Sequence, residues 1–235
     1  MRKTPAAATP LLTPARLASA TLTVAIAIVS LFLVAGRWDW VGGWAYVAAI
    51  ILGSAASEFA VWRHDPDVLR ARAQIGAGTK TWDKICLSLY LIFYVAILVV
   101  GALDAGRYGS SDMPGWLMPV GIVLVWLSQA VLAWCMIVNR YFEKTARLQT
   151  DRGHQVIRSG PYGYVRHPGY AAASAGYIAG VPFILGSWWA FAPALAAAIV
   201  LVVRTVLEDR MLHAELAGYD DYAATVRYRL VPGVW

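Results

Sequence analysis

Five long runs without a charged residue constrain this chain more than any other feature. They are Leu17–Ala35, Val41–Ser57, Ile85–Leu103, Gly115–Val138 and Gly169–Val203. The first four each approach the ~20 residues that a helix needs to cross a hydrocarbon core. The fifth has 35 residues. As one straight helix it would reach about 52 Å, too long for a ~30 Å core. Pro182 and the Gly186-Ser187 pair interrupt it, so the expected form is a helical hairpin with arms near 170–185 and 187–206. The fold class that follows is all-α, a polytopic membrane protein with five or six transmembrane helices, the last two paired as a hairpin. Arg2, Lys3 and Arg16 precede the first run. That run is longer than the apolar part of a signal peptide and a second span follows at once, so a retained first helix is expected. Residues 1–14, rich in Ala, Thr and Pro, read as a flexible tail, and residues 15–138 as the N-terminal transmembrane helices.

The formal net charge is +6, yet only 14% of residues are charged, against about 25% in soluble proteins. With the N-terminus placed in the cytoplasm, every Lys and Arg except Arg37 and Arg107 falls on the cytoplasmic side or at its boundary. This is a positive-inside asymmetry. The basic balance therefore reports topology and contact with anionic membrane lipids, and gives no reason to expect nucleic acid as a partner. The expected location is a membrane, with the N-terminus and the long polar loop on its cytoplasmic side. Cys86 and Cys135 both lie inside apolar runs and read as buried thiols. Dispersed histidines and the lack of clustered cysteines or carboxylates suggest no metal site.

In chain order, helices near 17–36 and 41–62 are joined by a short turn with Trp38, Trp40 and Trp44, tryptophans of the kind that mark a membrane interface. Residues 63–82 read as a solvated loop with a helical piece. Helices near 83–103 and 115–138 enclose an outer loop with Asp104, Arg107, Asp112 and Pro114. Beyond Arg204, Val206, Leu207, Met211, Leu212 and Leu216 recur near helical spacing. The last span is thus expected to continue out of the bilayer as an amphipathic stem, closed by Gly218.

Chemistry is expected in the longest polar, turn-rich passage, Gln149–Tyr170, which reads QTDRGHQVIRSGPYGYVRHPGY. Each proline fixes its own φ and holds the residue before it extended. His167 then sits at a bend, with Pro168 in the first turn of the next helix. The amides of that helix start, with Tyr162, Tyr164 and Tyr170, suit a small ligand that has anionic and cationic ends. The plain alternative is an interfacial aromatic belt with a solvated histidine. Arg204 and Glu208 are four apart on one helical face, which a simple i,i+4 ion pair would also explain. At a membrane boundary, though, a forked guanidinium can hold a carboxylate and a carboxylate can face a cation. There is no phosphate-binding loop, nucleophile elbow or dinucleotide fingerprint.

The order GHQVI, SGPY, RHPGY, an apolar hairpin, RTVLEDRML and then GYDDY with RLVP resembles the isoprenylcysteine carboxyl methyltransferase family, in its short prokaryotic-type form, over residues 139–235. The resemblance implies a catalytic S-adenosylmethionine-binding region there, in a membrane enzyme without a Rossmann domain. Carried over by motif, Gln149, His154, Gln155, Val156, Ile157, Tyr162, His167, Pro168, Gly169, Tyr170 and Glu208 would bind S-adenosyl-L-methionine. Arg204 would engage the methyl-accepting substrate, and Arg204 and Glu208 together would form the catalytic pair. Asp209 stands where the motif commonly has a second glutamate. The implied acceptor is a lipophilic small molecule or lipidated group, methylated on a carboxylate. The chain lacks the additional N-terminal helices of the eukaryotic enzymes, which weakens the case for a prenylated protein terminus. An amine acceptor, as in phospholipid N-methylation, a sterol-reductase-like NADPH enzyme and a non-catalytic membrane component are the competing readings.

Overall fold

The computed structural model describes residues 14–73 and 76–235, without the side chains of residues 15–17. The expected flexible tail lies outside the described residues except for Pro14, which opens the first helix. Helices α1 (Pro14–Ala35), α2 (Val41–His64), α3 (Pro66–Arg72), α4 (Thr81–Gly101) and α5 (Leu117–Val138) come first. Then α6 (Pro168–Ala173), a π-helical stretch (Ser174–Gly180) and α7 (Val181–Leu185) make one arm of the hairpin. The other arm is α8 (Phe191–Glu215), and α9 (Tyr219–Thr225) follows. Among the described residues, five helices are long and apolar enough to cross a membrane: α1, α2, α4 with its extension, α5 and α8. The chain is a polytopic membrane protein.

The first arm is broken for a physical reason. Pro182 has no N–H to return to the preceding turn, and its ring crowds that turn. The backbone widens into the π-helical stretch just before it, a common way to absorb such a mismatch. Gly186, at φ +74°, then turns the chain towards α8. This arm packs against α5 through small residues. A Cβ on Gly121 would stand 2.5 Å from the carbonyl oxygen of Gly180, and one on Gly176 would stand 2.3 Å from Ser128 Cβ. Close backbone approach of this kind is how helices associate where lipid removes the hydrophobic drive. Ser128 adds a hydrogen bond to the Ala172 carbonyl at 2.7 Å. Around this contact, Phe32, Ile97, Val125, Val181, Ile184 and Leu185 form the buried apolar core.

Trp38, Trp44, Trp116, Trp188 and Trp189 are exposed and lie in or beside the turns at one end of the bundle, as interfacial tryptophans do. Asp104 and Arg107 differ from expectation. They lie not in a loop but in a π-helical extension of α4, Ala102–Tyr108. There Asp104 is buried and accepts hydrogen bonds from Ser111 and Ser187, while Arg107 donates to the Leu33 carbonyl. These side chains find protein partners, so helical backbone persists beyond the uncharged run. A second difference lies at the far end. α8 stops at Glu215 with Leu216 extended, and Gly218, in the left-handed region, is the residue that starts α9. The amphipathic stem itself is present, continuous with the span.

Candidate functional site

At the end of the bundle opposite the tryptophan turns, residues 139–167 fold back over α8 and α9. Between them is a pocket with about 880 Å³ of atom-free space, counted out to its mouth. All twelve site residues named from the sequence line it. Among the described residues, its wall is built from 139–222 alone.

Arg204 and Glu208 face this pocket one turn apart on α8. Tyr170 lies against both. Its ring is 5.0 Å from the Arg204 guanidinium carbon, and its hydroxyl donates to Glu208. Glu208 makes no ion pair among the described residues, so a carboxylate in the pocket is left to face a cation. Arg204 is more committed. Its Nε donates to Asp83 Oδ1 at 2.7 Å and its Nη2 to the Lys144 carbonyl at 2.7 Å. This leaves Nη1, with the second Nη2 proton, as an end-on edge for an anion.

Other predicted residues brace the site from behind. Gln149 is buried, donating to the Tyr141 carbonyl at 2.7 Å and accepting from Arg152 at 2.9 Å. His154 stacks on Tyr141 with ring centres 4.7 Å apart, and its Nδ1 accepts the Gln149 amide at 3.4 Å. Burial holds its pKa below the usual histidine value. Tyr162 is buried and accepts from Asn139 at 3.0 Å. Gln155 is exposed, with Val156 and Ile157 half-buried. His167, Pro168 and Gly169 are buried where α6 begins, and the His167 ring stacks parallel to Tyr170 at 5.7 Å. Gly169 is needed for space, since a Cβ there would lie 2.8 Å from the Phe142 ring.

Three parts of this site were not legible beforehand. Asp83 is buried at the start of α4 and accepts both Arg204 and the Ala146 amide. The available signal was an acid within two residues of an uncharged run, where charge is costly without a partner. Asp209 is the second. It receives Arg166 at 2.8 and 3.0 Å, Arg229 at 2.8 Å, the Tyr219 hydroxyl at 2.9 Å and His167 at 3.3 Å. It thus ties the polar loop, α8, α9 and the C-terminal strap together. A shorter carboxylate than glutamate suits this crowded centre. The third is the Glu143–Arg147–Asp151 chain at the mouth. Hydrogen bonds from Glu143 and Asp151 raise the Arg147 pKa above its usual value.

Fold and site together define a polytopic helical membrane protein with a polar pocket at one end of the bundle, lined by a carboxylate and guanidinium groups. Comparison with known proteins makes the class specific. Residues 121–214 match the sequence model of the isoprenylcysteine carboxyl methyltransferase (ICMT) family. The matched segment runs from α5 through the pocket to α8, and the chain is an integral-membrane methyltransferase. Among solved structures, the chain is similar in fold to the eukaryotic intramembrane Ras methyltransferase ICMT, solved without a monobody. The two share 17% identity at a TM-score of 0.60, over 93% of this chain and 87% of that one. Among curated proteins, none matches.

Proposed function

We propose that the pocket binds S-adenosyl-L-methionine and that the enzyme methylates the carboxylate of a lipophilic, isoprenylcysteine-like acceptor. The observation that carries this reading is the Glu208–Tyr170–Arg204 arrangement: an unpaired carboxylate and a partly free guanidinium, one helical turn apart, on either side of one aromatic ring.

The donor set fits this cofactor. A sulfonium and an ammonium need a carboxylate and aromatic faces, which Glu208, Tyr170 and Tyr162 supply. Amides at the start of α6 suit a carboxylate at the other end. When bound, the cofactor would supply a methyl group on a positively charged sulfur, given to the acceptor oxygen with the S–CH3 electron pair left on sulfur. A carboxylate is already ionised near neutral pH, so no residue has to remove a proton. The protein's task is to position both partners and keep water out. Arg204 orients the acceptor carboxylate through its free edge, and Asp83 holds Arg204 in that pose. Glu208 and the rings hold positive charge beside it. An amine acceptor would instead have to lose a proton, so a nearby base would matter more and a carboxylate-binding guanidinium less.

The pocket end of the bundle carries the loops rich in Lys and Arg, whereas Arg37 and Arg107 lie at the tryptophan end. The positive-inside rule therefore orients the pocket towards the cytoplasm. The test is calorimetric titration of the detergent-purified protein with S-adenosylmethionine, in parallel with reduced nicotinamide cofactor. Saturable binding of the first, followed by methyl-ester formation on an S-prenylated N-acetylcysteine, is expected. No S-adenosylmethionine binding, or preference for the nicotinamide, overturns the reading.

A further inference from the structure

The pocket is fastened unevenly along α8. One wall is the non-helical segment Thr145–Arg147, and another is α8 from Arg204 to Leu212. At the Arg204 end the two are joined by buried bonds. Arg204 donates to the Lys144 carbonyl, and Asp83 accepts both Arg204 and the Ala146 amide. From Arg204 to Glu215 the rise along α8 is about 16 Å. Over that distance, among the described residues, no hydrogen bond runs directly from residues 142–157 to α8 beyond Arg204.

One residue makes the tie at the outer end. Lys80 donates its backbone N–H to the Ala146 carbonyl at 3.2 Å. Its Nζ reaches both carboxylate oxygens of Glu215, at 2.7 and 3.0 Å. Glu215 is the last residue of α8, beside Leu216, which lines the pocket as Ala146 does. Lys80 therefore bridges two walls, although neither it nor Glu215 lines the pocket itself. The residues before Lys80 follow the same wall. The Thr79 and Thr145 hydroxyls are 3.0 Å apart, and a Cβ on Gly76 would stand 2.2 Å from Arg147 Nε. The connection from α3 to α4 is thus laid along Thr145–Arg147, and Lys80 carries it across to α8.

The two ends differ in strength. Asp83 and Arg204 are buried, where losing a partner is costly. The Lys80 and Glu215 side chains are 33% and 37% exposed. An exposed pair is weak and is screened by salt. Among the described residues, the other ion pairs with both partners this exposed, Arg37–Asp39, Arg70–Asp67 and His213–Asp220, join residues at most seven apart. Lys80 and Glu215 are 135 apart. A local surface pair steadies one turn of chain. This one holds two separate walls of a ligand pocket together, with an interaction weak enough to open.

We propose that the Lys80–Glu215 pair is a reversible latch on the pocket edge, and that its opening sets how fast the cofactor and its demethylated product exchange. This rests on the methyltransferase reading above and adds the exchange step to it. With the pair made, Ala146 and the end of α8 are held together and the ligand is enclosed along this edge. With the pair broken, the Thr145–Arg147 wall moves about its buried anchors at Asp83 and Arg204.

The Lys80 side chain makes no capping bond at the start of α4, and Lys80→Ala keeps the backbone bond to Ala146, so the substitution isolates the ion pair. The test measures release of S-adenosylhomocysteine from detergent-purified wild type, Lys80→Ala, Glu215→Gln and the charge-exchanged Lys80→Glu/Glu215→Lys, at low and high salt. Either single variant releases the product about two- to fivefold faster at low salt, the range set by loss of one exposed pair. High salt brings wild type towards the same rate and hardly changes the single variants. The charge-exchanged protein regains slow, salt-sensitive release, which a merely structural role for either side chain would not restore. Arg37→Ala, which breaks an exposed pair at the tryptophan end, leaves release unchanged.

Hydrogen exchange of residues 142–149 in ligand-free protein reads the same opening without any cofactor. It should be faster in Lys80→Ala than in wild type, and faster in wild type at high salt. Release and exchange equal to wild type in both single variants, or charge exchange that restores nothing, overturns the latch. Failure of wild-type protein to bind S-adenosylmethionine overturns the methyltransferase reading instead. The hydrogen exchange of 142–149 then decides the latch alone, and equal exchange in wild type and Lys80→Ala overturns it.

Discussion

Arg204, near the end of the last span, donates through Nε to Asp83 at the start of α4, 121 positions earlier in the chain, at 2.7 Å. Both side chains are buried. The carboxylate also accepts the Ala146 amide, so one acid joins the N-terminal helices, the polar loop and the guanidinium of the site.

Removing one partner of such a pair leaves an unpaired charge away from water, which typically costs about 3–5 kcal/mol. Asp83→Ala is therefore expected to lower the unfolding midpoint of detergent-purified protein clearly. It should also weaken acceptor use more than cofactor binding. Melting and acceptor kinetics both like wild type would show that Arg204 does not depend on Asp83.

Among the described residues Glu208 has no cation of its own, and in the proposed reading it faces the cofactor's positive charge. Glu208→Gln is expected to weaken S-adenosylmethionine binding by about tenfold or more, the loss typical of a charge-assisted hydrogen bond. Tyr170→Phe should have a smaller effect, because it keeps the ring and loses only the hydroxyl that orients Glu208. Calorimetry on the two variants checks the order; equal affinities to wild type would remove Glu208 from the site.

Asp209 gathers Arg166, Arg229, Tyr219 and His167. Asp209→Ala leaves the Arg166 and Arg229 guanidinium groups without their carboxylate and unties the C-terminal strap, residues 226–235, from α8. Faster proteolysis between residues 216 and 235, with a lower melting midpoint, is the expected result. Asp209→Glu should restore much of the latch at some steric cost. A strap equally protected in Asp209→Ala would mean that the backbone bonds from Arg166 and His167 to Tyr228 and Arg229 are enough.

His154 sets a pH dependence. Its folded pKa is lowered from 6.5, by burial first, so the folded protein binds fewer protons than the unfolded chain as pH drops through that value. The contribution is then present above about pH 6.5 and is lost as pH falls towards and through the lower folded value. Protonation would also remove the Nδ1 acceptor used by the Gln149 amide. Melting midpoints measured from pH 7.5 down to 5 should fall more steeply for wild type than for His154→Gln. Parallel curves would exclude His154 as the group responsible.

Gly121 and Gly180 let α5 and the hairpin arm meet backbone to backbone. Gly121→Val forces side-chain atoms into that contact and is expected to destabilise by about 1–3 kcal/mol, as overpacking generally does. The same change at Gly115, which has open space around it, serves as the control. Similar melting of the two variants would argue against the close approach.

The sequence by itself determined that this chain is a helical membrane protein, because uncharged runs of span length have few other solutions. It also determined where the polar site lies, since a turn-rich passage between spans has to sit at the boundary. The twelve motif residues fall around one pocket because proline, glycine and helical spacing act locally, within reach of a linear reading. What it did not contain was the partner of each charge. Asp104 and Arg107 looked like loop residues, and only packing against Ser111, Ser187 and the Leu33 carbonyl lets them sit in helix. Asp83 meets Arg204, and Arg72 reaches the Phe142 carbonyl two residues from the one that Arg204 binds, only after four separate spans have packed. Such pairings depend on how helices are arranged around close glycine contacts, a relation between distant segments that no single stretch of chain encodes. The tertiary structure alone decides which charges are matched and which remain open for a ligand.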